Sequence, residues 1–236
     1  MKKLETKKLH YGKYLYKLVL ANSLSDIFRT ERQKSNDLAY AREYISDLDS
    51  DYAAGTRLEI QRYRSVREIS AQEYLDAKDI CTFLKNSTDY KVRTSYGYTL
   101  TIYSNDLEML DNIINHMRVS AKEFWKPSSE NVNALLNNKN IIIVDKPPSL
   151  PIKINFKNGE INKDFGNWID ANLNKCRVGN ITLNDIKELG FVANSYMFVR
   201  DEKVLNLVVL LVGSSIRSVE NLVYKDDLDK YMYGSE

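Results

Sequence analysis

Cysteine and histidine are scarce in this chain of 236 residues, with two of each: Cys81 and Cys176, His10 and His116. A structural zinc site needs four ligands in close pairs, and this set has no such spacing. The two cysteines stand about 95 residues apart in apolar helical patterns, so they read as buried free thiols in a reducing compartment and not as a disulfide. Neither histidine sits where a serine or cysteine triad would place one. Glycine and proline are also few, nine and four, and no GxxxxGK[ST] or GxGxxG string occurs, which argues against a glycine loop that cradles phosphates. Charge of one sign is lacking as well. The 34 basic and 32 acidic residues leave a net +2, so any surface for nucleic acid must be a local patch. The longest apolar run, VLNLVVLLV at 204–212, is too short to cross a bilayer, and the basic start MKKLETKKLHYGKY leads into no apolar segment of the signal-peptide kind. These absences predict a cytoplasmic protein with no membrane contact, no cofactor and no bound metal.

What is present is enough for packed cores: 43% hydrophobic residues and 11% aromatic, among them 16 tyrosines. Residues 13–20 alternate cleanly, with Tyr14, Tyr16, Leu18 and Leu20 on one face and Lys13, Leu15, Lys17 and Val19 on the other, the pattern of a strand. Gly12 is placed to turn a short hairpin before it. Helices are predicted over 24–31, over 36–49 with Leu38, Ala41, Ile45 and Leu48 inward, and after the capping box Ser70-Ala-Gln-Glu73. A strand at 96–104 precedes a helix over 106–118, capped by Asn105 with Leu107, Leu110, Ile114 and Met117 inward.

After a polar stretch the same grammar returns. Strands are predicted at 141–145, near 150–157 and at 196–200, helices at 164–174, at 182–189 between a Thr182 cap and a Gly190 stop, and from Asp201 to Val212. The last of these is apolar nearly all round and is expected to be the most buried helix. KLHYGKYLYKLVLANS matches VDKPPSLPIKINFKNG in pattern, and YTLTIYSNDLEMLDNI matches YMFVRDEKVLNLVV. The reading is α+β: two tandem modules, each an antiparallel sheet with helices packed on one face, related as an internal duplication. The boundaries fall at 1–126 and 141–236, with 127–140 as a polar connector. Tyr14, Tyr16, Leu18, Tyr98, Ile102, Ile154, Phe156 and Phe198 are the expected sheet core.

Four constellations could carry chemistry. Asp47, Asp49 and Asp51 have the spacing that opens a calcium loop, but Tyr52 and Leu58 stand where that loop needs glycine and glutamate. Tyr224-Lys225-Asp226-Asp227 resembles the YxDD turn of reverse transcriptases over these four residues; an acidic surface segment is the expectation. A magnesium nuclease or nucleotidyl-transfer site would need Glu59 or Asp145 to meet another carboxylate, and no basic residue follows Glu59 where one would activate water. The fourth is basic and aromatic: Arg57, Arg62, Tyr63, Arg64 and Arg67 crowd into eleven residues, with Lys13 and Lys17 in support, Lys7 and Lys8 nearby, and Lys91 and Arg93 farther on.

Arginine forks onto phosphate, and aromatic rings stack on unpaired bases. These residues therefore point to a non-catalytic RNA- or single-stranded-DNA-binding protein. In the 13–20 strand, however, the tyrosines face away from the lysines, so that strand is expected to bind electrostatically, without stacking. The richness in Lys, Asn, Ile and Tyr suits a viral or mobile-element source. The rival expectation is a protein-interaction or self-assembling module, because tyrosine is enriched at interaction hot spots.

Overall fold

The computed structural model describes residues 1–29, 38–62, 65–95, 98–119 and 121–229, with Arg62 described in its backbone alone. The chain divides into two compact units, Met1–Val132 and Asn133–Glu236. The first contains β1 (Lys2–Glu5), β2 (Tyr16–Ala21), α1 (Ala39–Ala53), a hairpin of β3 (Glu59–Arg62) and β4 (Ser65–Glu68), α2 (Ala71–Lys85), β5 (Tyr90–Ser95), β6 (Thr99–Ser104), α3 (Leu107–His116) and β7 (Glu123–Lys126). The division falls within α4 (Asn131–Asn137). The second unit continues with β8 (Ile141–Val144), β9 (Ile152–Phe156), β10 (Gly159–Glu160), α5 (Asp164–Ala171), β11 (Cys176–Val178), α6 (Asn180–Asn184), β12 (Phe191–Val192), β13 (Tyr196–Val199), α7 (Glu202–Val212) and β14 (Ile216–Tyr224).

Each unit has one five-stranded sheet, in the orders β1-β7-β2-β6-β5 and β8-β14-β9-β13-β11. Numbered by appearance within its own sheet, each order is 1-5-2-4-3. The directions agree as well: strand 1 runs parallel to strand 5, and every other pairing is antiparallel. The two-module α+β reading therefore stands, and the pattern repeat seen in the sequence is a repeat of topology. The sheets are mixed and not purely antiparallel. The crossover that brings the last strand back beside the first, through α3 or α7, makes the one parallel pair in each.

The first core forms where the inward faces of β2 and β6 meet the helices. Leu18, Leu20, Leu100 and Ile102 are fully buried on the sheet, and Tyr74, Ile80, Leu84, Leu110 and Ile113 on α2 and α3. The second core joins Ile152, Ile154, Phe156, Met197 and Val199 to Phe165 and Ile169 of α5 and to Val204, Val208 and Val212 of α7. The Ser70 capping box is complete: Glu73 N donates to Ser70 Oγ, and Ser70 N donates to the Glu73 carboxylate. That carboxylate also accepts from Ser23 N and Ser23 Oγ, which ties α2 to the exit of β2. Burial pushes the Glu73 carboxyl up, but the hydrogen bonds from Ser23 and Ser70 outweigh it and hold the group below its ordinary range.

Several local expectations are corrected. Asp106, not Asn105, caps α3 by accepting from Met109 N; Asn105 instead accepts from Leu15 N and donates to Asp89. The buried stripe of α3 is Met109, Leu110 and Ile113, turned from the expected one. Gly179, not Thr182, precedes α6, which runs into a π turn at Asp185–Leu189 that Gly190 ends at φ +63°. The 127–140 segment contains α4, because Ala134 and Leu135 are fully buried among the asparagines. Tyr98 is exposed and Phe198 half-buried, so neither belongs to the sheet core. In α7, only Val204, Val208 and Val212 are buried, while Leu207, Val209, Leu210 and Leu211 are exposed, Leu210 at 82%. A short helix on the edge of a core buries one stripe, however apolar its other sides.

Asp76 is the one fully buried carboxylate among the described residues of α2, and it organises the segment after α3. Its oxygens accept from Arg118 N at 2.8 Å, Val119 N at 2.9 Å and Arg118 Nη1 at 3.2 Å. Asp76→Ala would leave two backbone donors without a partner. The expected outcome is a loss of about 2–4 kcal/mol of folding free energy in urea titration, with no comparable loss in Asp79→Ala, whose carboxylate is partly exposed.

Candidate nucleic-acid interface

The outward side of the first sheet is set by the inward one. Because Tyr16, Leu18 and Leu20 of β2 point to the core, Lys17 and Val19 must lie on the opposite face, where Lys17 is half-buried and Val19 is buried. Register partners share a face. Lys17 lies opposite Trp125 of β7 on one side and Tyr103 of β6 on the other, Tyr103 lies opposite Lys91 of β5, and Trp125 lies opposite Leu4 of β1. One row across five strands therefore reads Leu4, Trp125, Lys17, Tyr103, Lys91, with ring and cation alternating. Arg93 follows Lys91 on the same face, opposite Thr101.

The chain before β2 folds over this row. Tyr11 and Gly12 both have positive φ, 57° and 65°, as in a type I′ turn, and Lys13 N donates to His10 O. The turn brings Tyr11 edge-on to Tyr103, with ring centroids 4.9 Å apart. Lys91 Nζ lies 4.4 Å from the centre of the Tyr11 ring, and Arg93 Nη1 donates to Tyr11 Oη at 2.8 Å. Lys17 Nζ lies 4.9 Å from the centre of the Trp125 ring, whose Nε1 donates to Glu123. His10 packs between Tyr103 and Trp125, at 5.4 and 6.1 Å. Together these side chains form an amphipathic surface of rings with cations on their faces, the arrangement that cation–π attraction stabilises. Beside it lies a cavity of about 460 Å³ lined by Thr6, Lys8, His10, Tyr11, Tyr103 and Trp125, among others.

Two titrating groups are displaced. Burial, then the charges of Lys17 and Lys8, lowers His10 to about 4, so its imidazole is neutral at physiological pH. Burial, then the neighbouring Tyr11, pushes Tyr103 up to about 12, so its hydroxyl keeps its proton. Elsewhere burial raises the Cys81 thiol to about 11; both cysteines are free and buried.

The structure brings together some of the residues singled out in the sequence and separates others. Lys17 lies in the centre of the row. Lys13 turns to Asp89, with its ammonium also over the Tyr14 ring. Arg57 pairs with Glu68 at 3.1 Å, and Arg67 lies on the Tyr98 ring at 4.4 Å, both by way of the β3–β4 hairpin. The side chain of Arg62, and Tyr63 and Arg64 entirely, lie outside the described residues. The aromatic half of the surface was missed. Tyr14 and Tyr16 are buried as expected, but Tyr11, Tyr103 and Trp125 supply rings on the same side as the cations, so this face combines both features. The alternation of TLTIYS and of EFWK was the signal available.

Asp49 is held by Lys78 and Tyr74, Glu59 faces Glu68 across the hairpin, and Asp226 and Asp227 stand in a 3-10 turn, Lys225–Asp227, with Asp226 bonded to Tyr224. Among the described residues no three histidine, cysteine, aspartate or glutamate side chains gather in a way that could hold a metal ion, and no helix is long and apolar enough to cross a membrane.

His10 carries the pH dependence of this surface. Its folded value lies below the ordinary 6.5, so the folded state resists the proton that the unfolded chain accepts. The stabilisation is complete above pH 6.5 and is lost progressively down to about 4. Urea midpoints measured across that window are expected to fall with pH, and His10→Gln is expected to flatten the fall. No protein-family model and no curated protein matches the chain.

Proposed function

We propose that the first unit binds single-stranded RNA or DNA along the face of its sheet that carries the Lys17 row. The observation that carries this reading is the row Trp125, Lys17, Tyr103, Lys91, with Tyr11 and Arg93 over its end. A single strand presents phosphates and unstacked bases at short, regular intervals. Cations beside ring faces suit both, and a sheet surface holds them at fixed spacing. A duplex would offer no free base faces to the rings. The role is one of holding and not of chemistry.

Filter binding across a salt series tests it. Three phosphate contacts, at Lys17, Lys91 and Arg93, predict a slope of about −2 in log affinity against log salt, shallower by about 0.7 in Lys17→Gln or Lys91→Gln. Trp125→Ala is expected to cost about 1–3 kcal/mol of binding while keeping the slope. Affinity that is undetectable at low salt, or indifferent to salt, would remove the proposal.

A second reading, self-association, has its own observation: the exposed apolar side of α7, Leu207, Val209, Leu210 and Leu211. Light scattering at increasing concentration would detect it. Under this reading the wild type rises in mass and Leu210→Asp stays monomeric; a wild type that is monomeric at every concentration counts against it.

A further inference from the structure

We propose that Tyr11 is an internal occupant of the strand site: its side chain fills the place of one nucleotide at the Lys91–Arg93 end of the sheet face, and a bound strand has to turn it out. The inference rests on the binding reading above and adds an autoinhibitory contact to it. Tyr11 is 49% exposed, so its ring is not kept for the core. Its φ of 57° is one that asparagine or glycine adopts with less strain, and the turn is closed by backbone atoms, Lys13 N donating to His10 O. Strained positions persist where their surroundings hold them. What holds Tyr11 is the set of residues given above to the ligand.

Its contacts stand in for those of a nucleotide. Arg93 Nη1 donates to Tyr11 Oη at 2.8 Å, where a phosphate oxygen would accept. The Lys91 ammonium lies over the face of the Tyr11 ring, 4.4 Å from its centre, so a second cation is engaged as well. The ring meets Tyr103 edge-on with centroids 4.9 Å apart, which leaves no room for a base between them, and the two hydroxyls are hydrogen-bonded. The ring can nevertheless leave without opening the turn. His10 and Tyr14 exchange backbone hydrogen bonds at its base, whereas the contacts just named are all made by the Tyr11 side chain, so rotation about its own side-chain bonds breaks them. A strand replaces them with a phosphate for Arg93 and Lys91 and a base for Tyr103. Its apparent affinity is lowered by the fraction of molecules in which the ring is still in place.

Fluorescence anisotropy with a labelled single-stranded oligothymidylate of about eight residues, on the full chain, tests this. Tyr11→Asn, which suits the left-handed backbone and has no ring, is expected to bind about three- to tenfold more tightly than wild type. The salt slope is expected to stay the same, because the same cations meet phosphate in both complexes. Tyr11→Phe, which keeps the ring and removes only the hydroxyl bonded to Arg93, is expected to gain about twofold. In a chain carrying Lys91→Gln and Arg93→Gln, the gain from Tyr11→Asn is expected to disappear. Equal or weaker binding by Tyr11→Asn would overturn the inference, while binding by wild type leaves the sheet-face reading intact. If the asparagine chain does not fold, equal or weaker binding by Tyr11→Phe overturns it in the same way. Absence of binding by wild type and by both variants would remove both readings.

Discussion

The period-two alternation of β2 governs the first unit. Its central position gives it two partners, and its inward residues, Leu18 and Leu20, are among the most completely buried in the chain. A slip of one residue would put Lys17 into that core and take Leu18 and Leu20 out of it, so the register is held by several kcal/mol of burial. Everything on the opposite face inherits that constraint. Trp125, Tyr103 and Lys91 are placed by pairing to β2 and to its neighbour, and the cation–ring alternation is a by-product of where the apolar residues must go.

The turn at Tyr11 adds a second layer. A tyrosine at φ 57° occupies backbone space that glycine or asparagine would adopt more easily, at a cost of about 1–3 kcal/mol. The ring is what is gained: it meets Tyr103, Lys91 and Arg93 at once. Strain at the backbone is thus matched by contacts of the side chain, and those contacts lie on the candidate interface and not in the core.

Features that depend on neighbours in sequence were legible in advance. The capping box at Ser70, the stripe of Ala41, Ile45 and Leu48, the inward face of β2, the helix stop at Gly190 and the repeat of strand and helix patterns all follow from spacing of a few residues. Features that depend on pairing across the chain were not. Lys17 is separated from Tyr103 and Trp125 by more than 80 residues, and only the sheet order makes them a row. The arginine-rich stretch at 57–67 attracted notice because its charges are adjacent in sequence, yet Arg57 and Arg67 are engaged with Glu68 and Tyr98. Helix α7 misled in another way: composition marks apolar residues but does not say how many sides of a helix have something to pack against.

The shared topology allows the two sheets to be compared strand for strand. Where the first has Lys91, Tyr103, Lys17 and Trp125, the corresponding row of the second has Arg177, Phe198, Lys153 and Glu220. Three of the four positions keep their chemical type; the fourth exchanges an indole for a buried acid, which accepts from Asn155 and lies 3.8 Å from Lys153. That single exchange cancels a cation and removes a platform together. A chain built from two like scaffolds need not be a bivalent one: under the binding reading proposed above, the carboxylate beside Lys153 would leave a polymeric ligand one landing place per molecule and a single orientation in which to be held.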